Sequence, residues 1–290
     1  MTRRFLLLIL SITALCSDIE IRLKKSFVEK YKNRATIDDS CIIDKAHKNP
    51  NPPTKDADLH IAVRCREAAL AGVAEIMNAK GQASALSFVK ANEGTENKVN
   101  IRGVWRLWCE HGGSEIRHLQ GSPLEKFTTT NPDHVYEVHP VTNIGANDVS
   151  SGISTIVGFT EKDARSAFMS YERTRFQIRP QSQTITMRTV MAGYNYVKFK
   201  IKLLEKPHKI DDGFQVMSDV YEVDDDTDDD SEGEVLVRRR RMVFVGGTGP
   251  AEKVKTMNKG ETLVVLGIPR IDLSLVAWRA KKGGEARDWD

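Results

Sequence analysis

The chain reads as mainly β with a few helices, arranged as two OB-like five-stranded barrel domains in tandem. Short alternating, β-branched runs recur through both halves. In the first half the elements run strand, strand, short strand, helix, strand, strand, the order of a small OB-type barrel. The second half repeats much of that order, and a helical pattern over 160–174 lies between the two.

Residues 35–46 alternate and carry Thr36, Ile37, Ile42 and Ile43, which predicts a strand. Pro50, Pro52 and Pro53 place a loop over 48–55, because proline cannot donate to a ladder. A second strand follows over 56–65. The stretch 66–80 is rich in Ala, Glu and Met and favours helix on propensity alone. The barrel order nevertheless requires 73–77 to be strand, with pairing overriding propensity. Residues 82–90 predict a helix with Ala83, Leu86 and Val89 on one face, and strands over 98–110 and 134–144 complete a first domain at 33–147.

The linking helix, 160–174, turns Ala164, Ala167, Phe168 and Tyr171 inward. In the second domain, 175–282, a hairpin of 184–192 and 194–205 turns at Gly193. Strands over 214–222 and 239–245, a short helix over 250–257, and strands over 261–267 and 273–280 follow.

The 290 residues leave room for two domains, and 40% hydrophobic with 29% charged residues describes a folded chain. Arg3 and Arg4 precede an apolar run from Phe5 to Leu15, too short to span a bilayer as a stable helix. Ala14 and Cys16 are the small residues of a signal-peptidase site, so 1–16 reads as a signal peptide cleaved near Cys16. A buried N-terminal helix is the alternative. Secretion or a periplasmic location follows from the first reading. No other stretch is apolar and long enough to cross a membrane, so an integral membrane protein is not expected.

Cys41, Cys65 and Cys109 then remain, enough for one internal disulfide and a spare thiol, with the pairing left open. The net charge of +3 hides an uneven distribution. The acidic loop 224–234 holds eight carboxylates, and Arg238, Arg239, Arg240 and Arg241 follow directly. A basic remainder favours a polyanion or polysaccharide partner, whereas a solvated charge run needs no partner at all.

Six of the seven histidines lie between His47 and His139. Asp56, Asp58 and His60 alternate and so share a strand face; Glu137 and His139 share another by the same rule. Glu75 can join them, and His111 ends the strand between. Imidazole nitrogen with carboxylate oxygen suits a divalent metal such as Zn²⁺ or Mn²⁺, at His60, His111, His139 and Asp58. The same groups could supply a general base and its orienting acid. Read structurally, they hydrogen-bond across strands and hold the register. Arg102 and Arg106 share a face with Trp108, a basic and aromatic stripe on which a base or sugar could stack. Trp105, three residues from Trp108, then faces the opposite side.

The motifs Asp56-Ala57-Asp58-Leu59-His60, Ala74-Glu75-Ile76, Gly103-Val104-Trp105 running to His111-Gly112, and Glu137-Val138-His139-Pro140-Val141 occur in that order. In these the chain resembles a set of uncharacterised secreted bacterial proteins, over residues 33–145. Ala57 and Val138 depart from the usual Gly and Leu, and 66–72 lacks the expected turn. The resemblance implies an OB-like domain and brings no established activity.

Three functional readings follow. One is a secreted binding protein holding a nucleic acid, an oligosaccharide or a protein partner. Another is a metal-dependent hydrolase using His60, His111, His139, Asp58, Glu75 and Glu137. The third is a structural or assembly role with the acidic loop 224–234 as a charged tether; the loop lacks the spacing of an EF-hand, so a calcium-responsive tether would bind its ion weakly.

Overall fold

The computed structural model describes residues 19–113, 117–174, 176–223 and 233–282. The expected signal peptide and most of the acidic loop lie outside the described residues. The first elements are β1 (Ile19–Lys24), α1 (Lys25–Tyr31), β2 (Thr36–Ala46), β3 (Leu59–Cys65), β4 (Ala71–Ile76) and α2 (Ala83–Asn92). Next come β5 (Lys98–Leu107), β6 (Arg117–Leu119), β7 (Tyr136–Ile144), β8 (Asn147–Asp148), α3 (Ala164–Arg173), β9 (Gln177–Pro180) and β10 (Thr184–Thr189). The last are β11 (Val197–Leu203), β12 (His208–Ile210), β13 (Gly213–Tyr221), β14 (Val235–Val245), α4 (Gly249–Val254), β15 (Thr262–Gly267) and α5 (Leu273–Lys282).

Five strands close into a barrel in the order β2, β3, β4, β7, β5 and back to β2. All neighbours are antiparallel except β4 and β7, whose parallel contact sets Gly72 opposite Tyr136 and Val73 opposite Glu137. That contact is what overrules the helix propensity of β4. As a strand it pairs on both edges, with β3 and β7, and buries all but its first residue. Gly72 permits the close approach, since a Cβ there would sit 2.8 Å from the Tyr136 ring. Helix α2 falls between the third and fourth barrel strands and buries Ala85 and Val89. The interior is packed with Ile37, Ile43, Ile61, Ile76, Ile101, Val138 and Ile144.

Cys41 and Cys65 are register partners on β2 and β3 and form the disulfide; Cys109 is the free, buried thiol. Burial, partly offset by Arg106, pushes the Cys109 thiol up to about 12, which leaves it inert as a nucleophile. The bridged cysteines are 24 residues apart, so opening the bridge is expected to cost about 3 kcal/mol. Denaturant unfolding with and without reductant measures this. A Cys109→Ser variant should keep the same response to reductant.

The second half departs from the expected hairpin. Strand β10 pairs with β1 and β9, whereas β11 pairs with β13 and β15. The expected hairpin arms thus belong to different sheets, β6-β1-β10-β9 and a five-stranded sheet of β12, β13, β11, β15 and β14. Among the described residues, the pairings of that second sheet do not close a ring. Residues 273–282 form α5 rather than a strand, with Leu273, Val276 and Ala277 buried at helical spacing. The helix α3 holds Ala164, Ala167 and Phe168 against the second sheet, as its pattern predicts. Among the described residues, no helix is long and apolar enough to cross a membrane.

Candidate functional site

One end of the barrel holds a buried cluster of ionisable side chains. Its parts come from the turn before β3 (Asp58), from β4 (Glu75), from β5 (Arg106) and from β7 (Glu137 and His139). Asp58 is 0% exposed and His139 1%. Only Leu59 onward is strand, yet Asp56, Asp58 and His60 remain neighbours because Asp56 caps the turn through the Asp58 N–H at 3.0 Å.

His139 is the hub. Its Nδ1 lies 3.4 Å from Glu75 Oε2 and 3.3 Å from Glu137 Oε2. Its Nε2 lies 3.2 Å from Asp58 Oδ2 and 2.7 Å from the Tyr196 hydroxyl. Tyr196 in turn donates to Asp58 Oδ2. Burial opposes charge on His139, but Glu75, Asp58 and Glu137 outweigh it and hold its pKa well above the usual imidazole range. As an imidazolium it donates from both nitrogens, and the chain His139 to Tyr196 to Asp58 is satisfied without conflict.

The carboxylates divide by environment. Burial would raise Glu137, yet Arg106, with bonds from His134 and His139, holds it well below the usual range. Burial drives Glu75 well above that range, with Glu137 and Asp58 adding to the shift and His139 and Arg106 opposing it. Burial also raises Asp58, against bonds from His139 and Tyr196. Arg106 is the register partner of Glu137 across β5 and β7 and bonds it at 2.6 Å. Its other nitrogens reach Glu110 at 3.0 Å and the Pro269 carbonyl at 2.9 Å.

Of the expected site residues, His60, Asp58, Glu75, Glu137 and His139 converge. His60 Nε2 is 3.4 Å from Glu75 Oε2, and His47 stacks on its ring at 4.8 Å. Burial takes His60 down to about 4, so it is neutral at physiological pH. His111 is set apart. It stacks on His134 at 5.1 Å, and His134 alone of the two meets Glu137, with Nε2 3.3 Å from Oε1. A three-histidine metal centre of His60, His111 and His139 is therefore not assembled. Asp58, Glu75 and His139 do form a group able to hold a metal ion, with ligand atoms within 4.8 Å of one another.

The expected surface stripe is absent. Arg106 and Trp108 are 1% and 6% exposed, and only Arg102 faces solvent. Trp105 is buried too, with the Arg270 guanidinium stacked 3.9 Å from its ring centroid. Arg106 keeps the face of Arg102, since the extra residues of the irregular β5–β7 register lie on β7, but later segments of the chain cover that face. Arg106 Nε bonds the Pro269 carbonyl at 2.9 Å and the Trp108 indole bonds the Gly193 carbonyl at 3.4 Å. The arginine run is likewise engaged: Arg238 with Asp219, Arg240 with Glu172, and Arg241 with Asp272.

Sequence reasoning missed Tyr196 and the pairing role of Arg106. His134 carried a signal, standing three residues before Glu137; Tyr196 carried none, as it comes from 57 residues beyond His139. No protein-family profile matches the chain, and no curated protein or solved structure is significantly similar to it.

Proposed function

We propose that this chain is a secreted binding protein on an OB-like barrel, with a protein partner as its ligand. The observation that carries the reading is closure of the cluster. Asp58 and His139 lie beneath Tyr196, which packs with Ala57, Met77 and Ile156. Hydrolysis needs an open position for substrate and water beside the reacting groups, and sealed groups serve a scaffold instead. The strand order with α2 between third and fourth strands supports the OB-like assignment. The Cys41–Cys65 disulfide supports an oxidising compartment, in line with the resemblance to secreted bacterial proteins.

Among ligand classes a polyanion is the less favoured, because the guanidinium groups of Arg106, Arg238, Arg240 and Arg241 already face carboxylates. Met169 and Met191, 49% and 57% exposed, line a groove of about 410 Å³ beside Arg173 and Tyr194. Adaptable methionines next to a cation suit a protein segment with an apolar anchor and an acidic neighbour. The expected result is a secreted protein captured by the wild type and lost with the pair Met169→Glu, Met191→Glu. Saturable, salt-dependent binding of heparin or an oligonucleotide, unaffected by that pair, would replace this reading with a polyanion binder.

The metal-dependent hydrolase, with Zn²⁺ or Mn²⁺ at Asp58, Glu75 and His139, is the second reading, favoured by the grouping of those ligand atoms. It requires turnover of chromogenic ester, phosphodiester or glycoside substrates that is abolished by chelation and by His139→Gln.

A further inference from the structure

We propose that Asp58, Glu75 and His139 bind one divalent cation of the Zn²⁺ or Mn²⁺ class as a closed structural site. It would tie together the turn before β3, strand β4 and strand β7. The inference goes beyond the binding role, since a structural ion would stabilise the scaffold whatever its ligand.

Four observations converge on it. First, one ligand atom from each of the three residues lies within 4.8 Å of the others. Metal bonds of about 2.0–2.2 Å place neighbouring tetrahedral ligands roughly 3.3 Å apart, so small rotations close the group on an ion. His139 meets them with different ring nitrogens, Nε2 3.2 Å from Asp58 and Nδ1 3.4 Å from Glu75, so the ion would take one nitrogen and draw the second carboxylate across.

Second, Asp58 Oδ1 has no hydrogen-bond partner although the residue is 0% exposed. A carboxylate oxygen left bare inside a protein is costly, and a cation is one way to satisfy it. Third, both ring nitrogens of His60, whose Nε2 lies 3.4 Å from Glu75 Oε2, also lack hydrogen-bond partners, so the surroundings of the group are under-satisfied as well.

Fourth, the charges leave room for an ion. Three buried carboxylates, Asp58, Glu75 and Glu137, face one permanent cation, Arg106, so the rest of the balance comes from protons such as the one on His139. A divalent ion would take the place of those protons as His139 gives one up to become a ligand. The donor set of imidazole and carboxylate suits Zn²⁺ or Mn²⁺ better than Ca²⁺, which takes more oxygen ligands. The other grouping of this kind, Asp39 with Cys41 and Cys65, offers no thiolate because its cysteines are bridged.

The test uses the full chain under non-reducing conditions. Protein stripped by a chelator is unfolded, then refolded with Zn²⁺ or Mn²⁺, and ion content and thermal midpoint are read. One ion per chain is expected, with the midpoint rising as free ion rises. Mn²⁺ spectra should report imidazole nitrogen among the ligands. Asp58→Asn and Glu75→Gln should weaken binding on the order of 100-fold, the upper range for disturbing a metal site. His111→Ala, outside the group, should bind as the wild type does. A refolded wild type that takes up no ion overturns the proposal, and so does an ion held equally by Asp58→Asn and Glu75→Gln. The wild-type arm decides even where a variant fails to fold.

Discussion

Arg106→Met is expected to lower unfolding free energy by about 3–5 kcal/mol, the cost of breaking a buried ion pair by removing one partner. Its guanidinium is 1% exposed and bonds Glu137 at 2.6 Å. Without it Glu137 stays buried and loses the charge that favours its ionised form. The Pro269 carbonyl loses its donor as well. The paired change Arg106→Met, Glu137→Leu should recover much of the loss, because two apolar groups leave no buried charge behind. Arg102→Ala, at an exposed position, should stay within about 0.5 kcal/mol of wild type. Urea unfolding of the four proteins checks the set. An Arg106→Met variant as stable as Arg102→Ala would contradict the buried-pair assignment.

His139→Gln should be comparably destabilising, by about 3–5 kcal/mol near pH 6, since it removes the cation shared by Asp58, Glu75 and Glu137. The pH dependence has a definite sign. The folded pKa of His139 lies well above the ordinary histidine value of 6.5. Its contribution is therefore complete below pH 6.5 and lost as pH rises through the folded pKa. Glu75 acts in the same direction: its folded pKa is raised from 4.5, so its penalty grows as pH climbs from there toward the folded value. Glu137 works oppositely. Its stabilising contribution is present above 4.5 and disappears as pH falls through its depressed folded pKa. The wild-type and His139→Gln stability curves should thus lie far apart near pH 6 and converge toward alkaline pH. Thermal melts across that range check it, and a constant gap would contradict it.

The barrel was legible because its strands carry their own signals. Alternation with β-branched residues marks β2, β3 and β5, and the proline loop separates β2 from β3. Strand β4 was legible only through the order of its neighbours, since Ala, Glu and Met locally favour helix. The hairpin failed for a different reason. The partner of β10 is β1, whose residues 19–24 lie far away in sequence beside the expected signal peptide. Nothing local distinguishes that pairing from one with β11. In α5, Leu273, Val276 and Ala277 do follow a helical period, but the Leu- and Val-rich start also fits a strand.

The site shows the same division. Asp58, Glu75, Glu137 and His139 were legible because period-two spacing on paired strands brings their side chains together. Arg106 was misplaced because alternation gives its face but not what covers it, and the Pro269 carbonyl that meets it lies 163 residues away in sequence. Tyr196 was invisible, as a long-range contact in a segment with no periodic pattern.

The most direct measurement is the nitrogen NMR spectrum of His139 in chelator-treated protein near pH 8, assigned by comparison with His139→Gln. A sealed hub bonded to Glu75, Glu137, Asp58 and Tyr196 should give an imidazolium with both ring N–H protons present and slow to exchange with water. A neutral ring, exchanging freely and titrating near the ordinary histidine value, would show the cluster to be open to solvent and would contradict its role as the barrel's buried ionic hub.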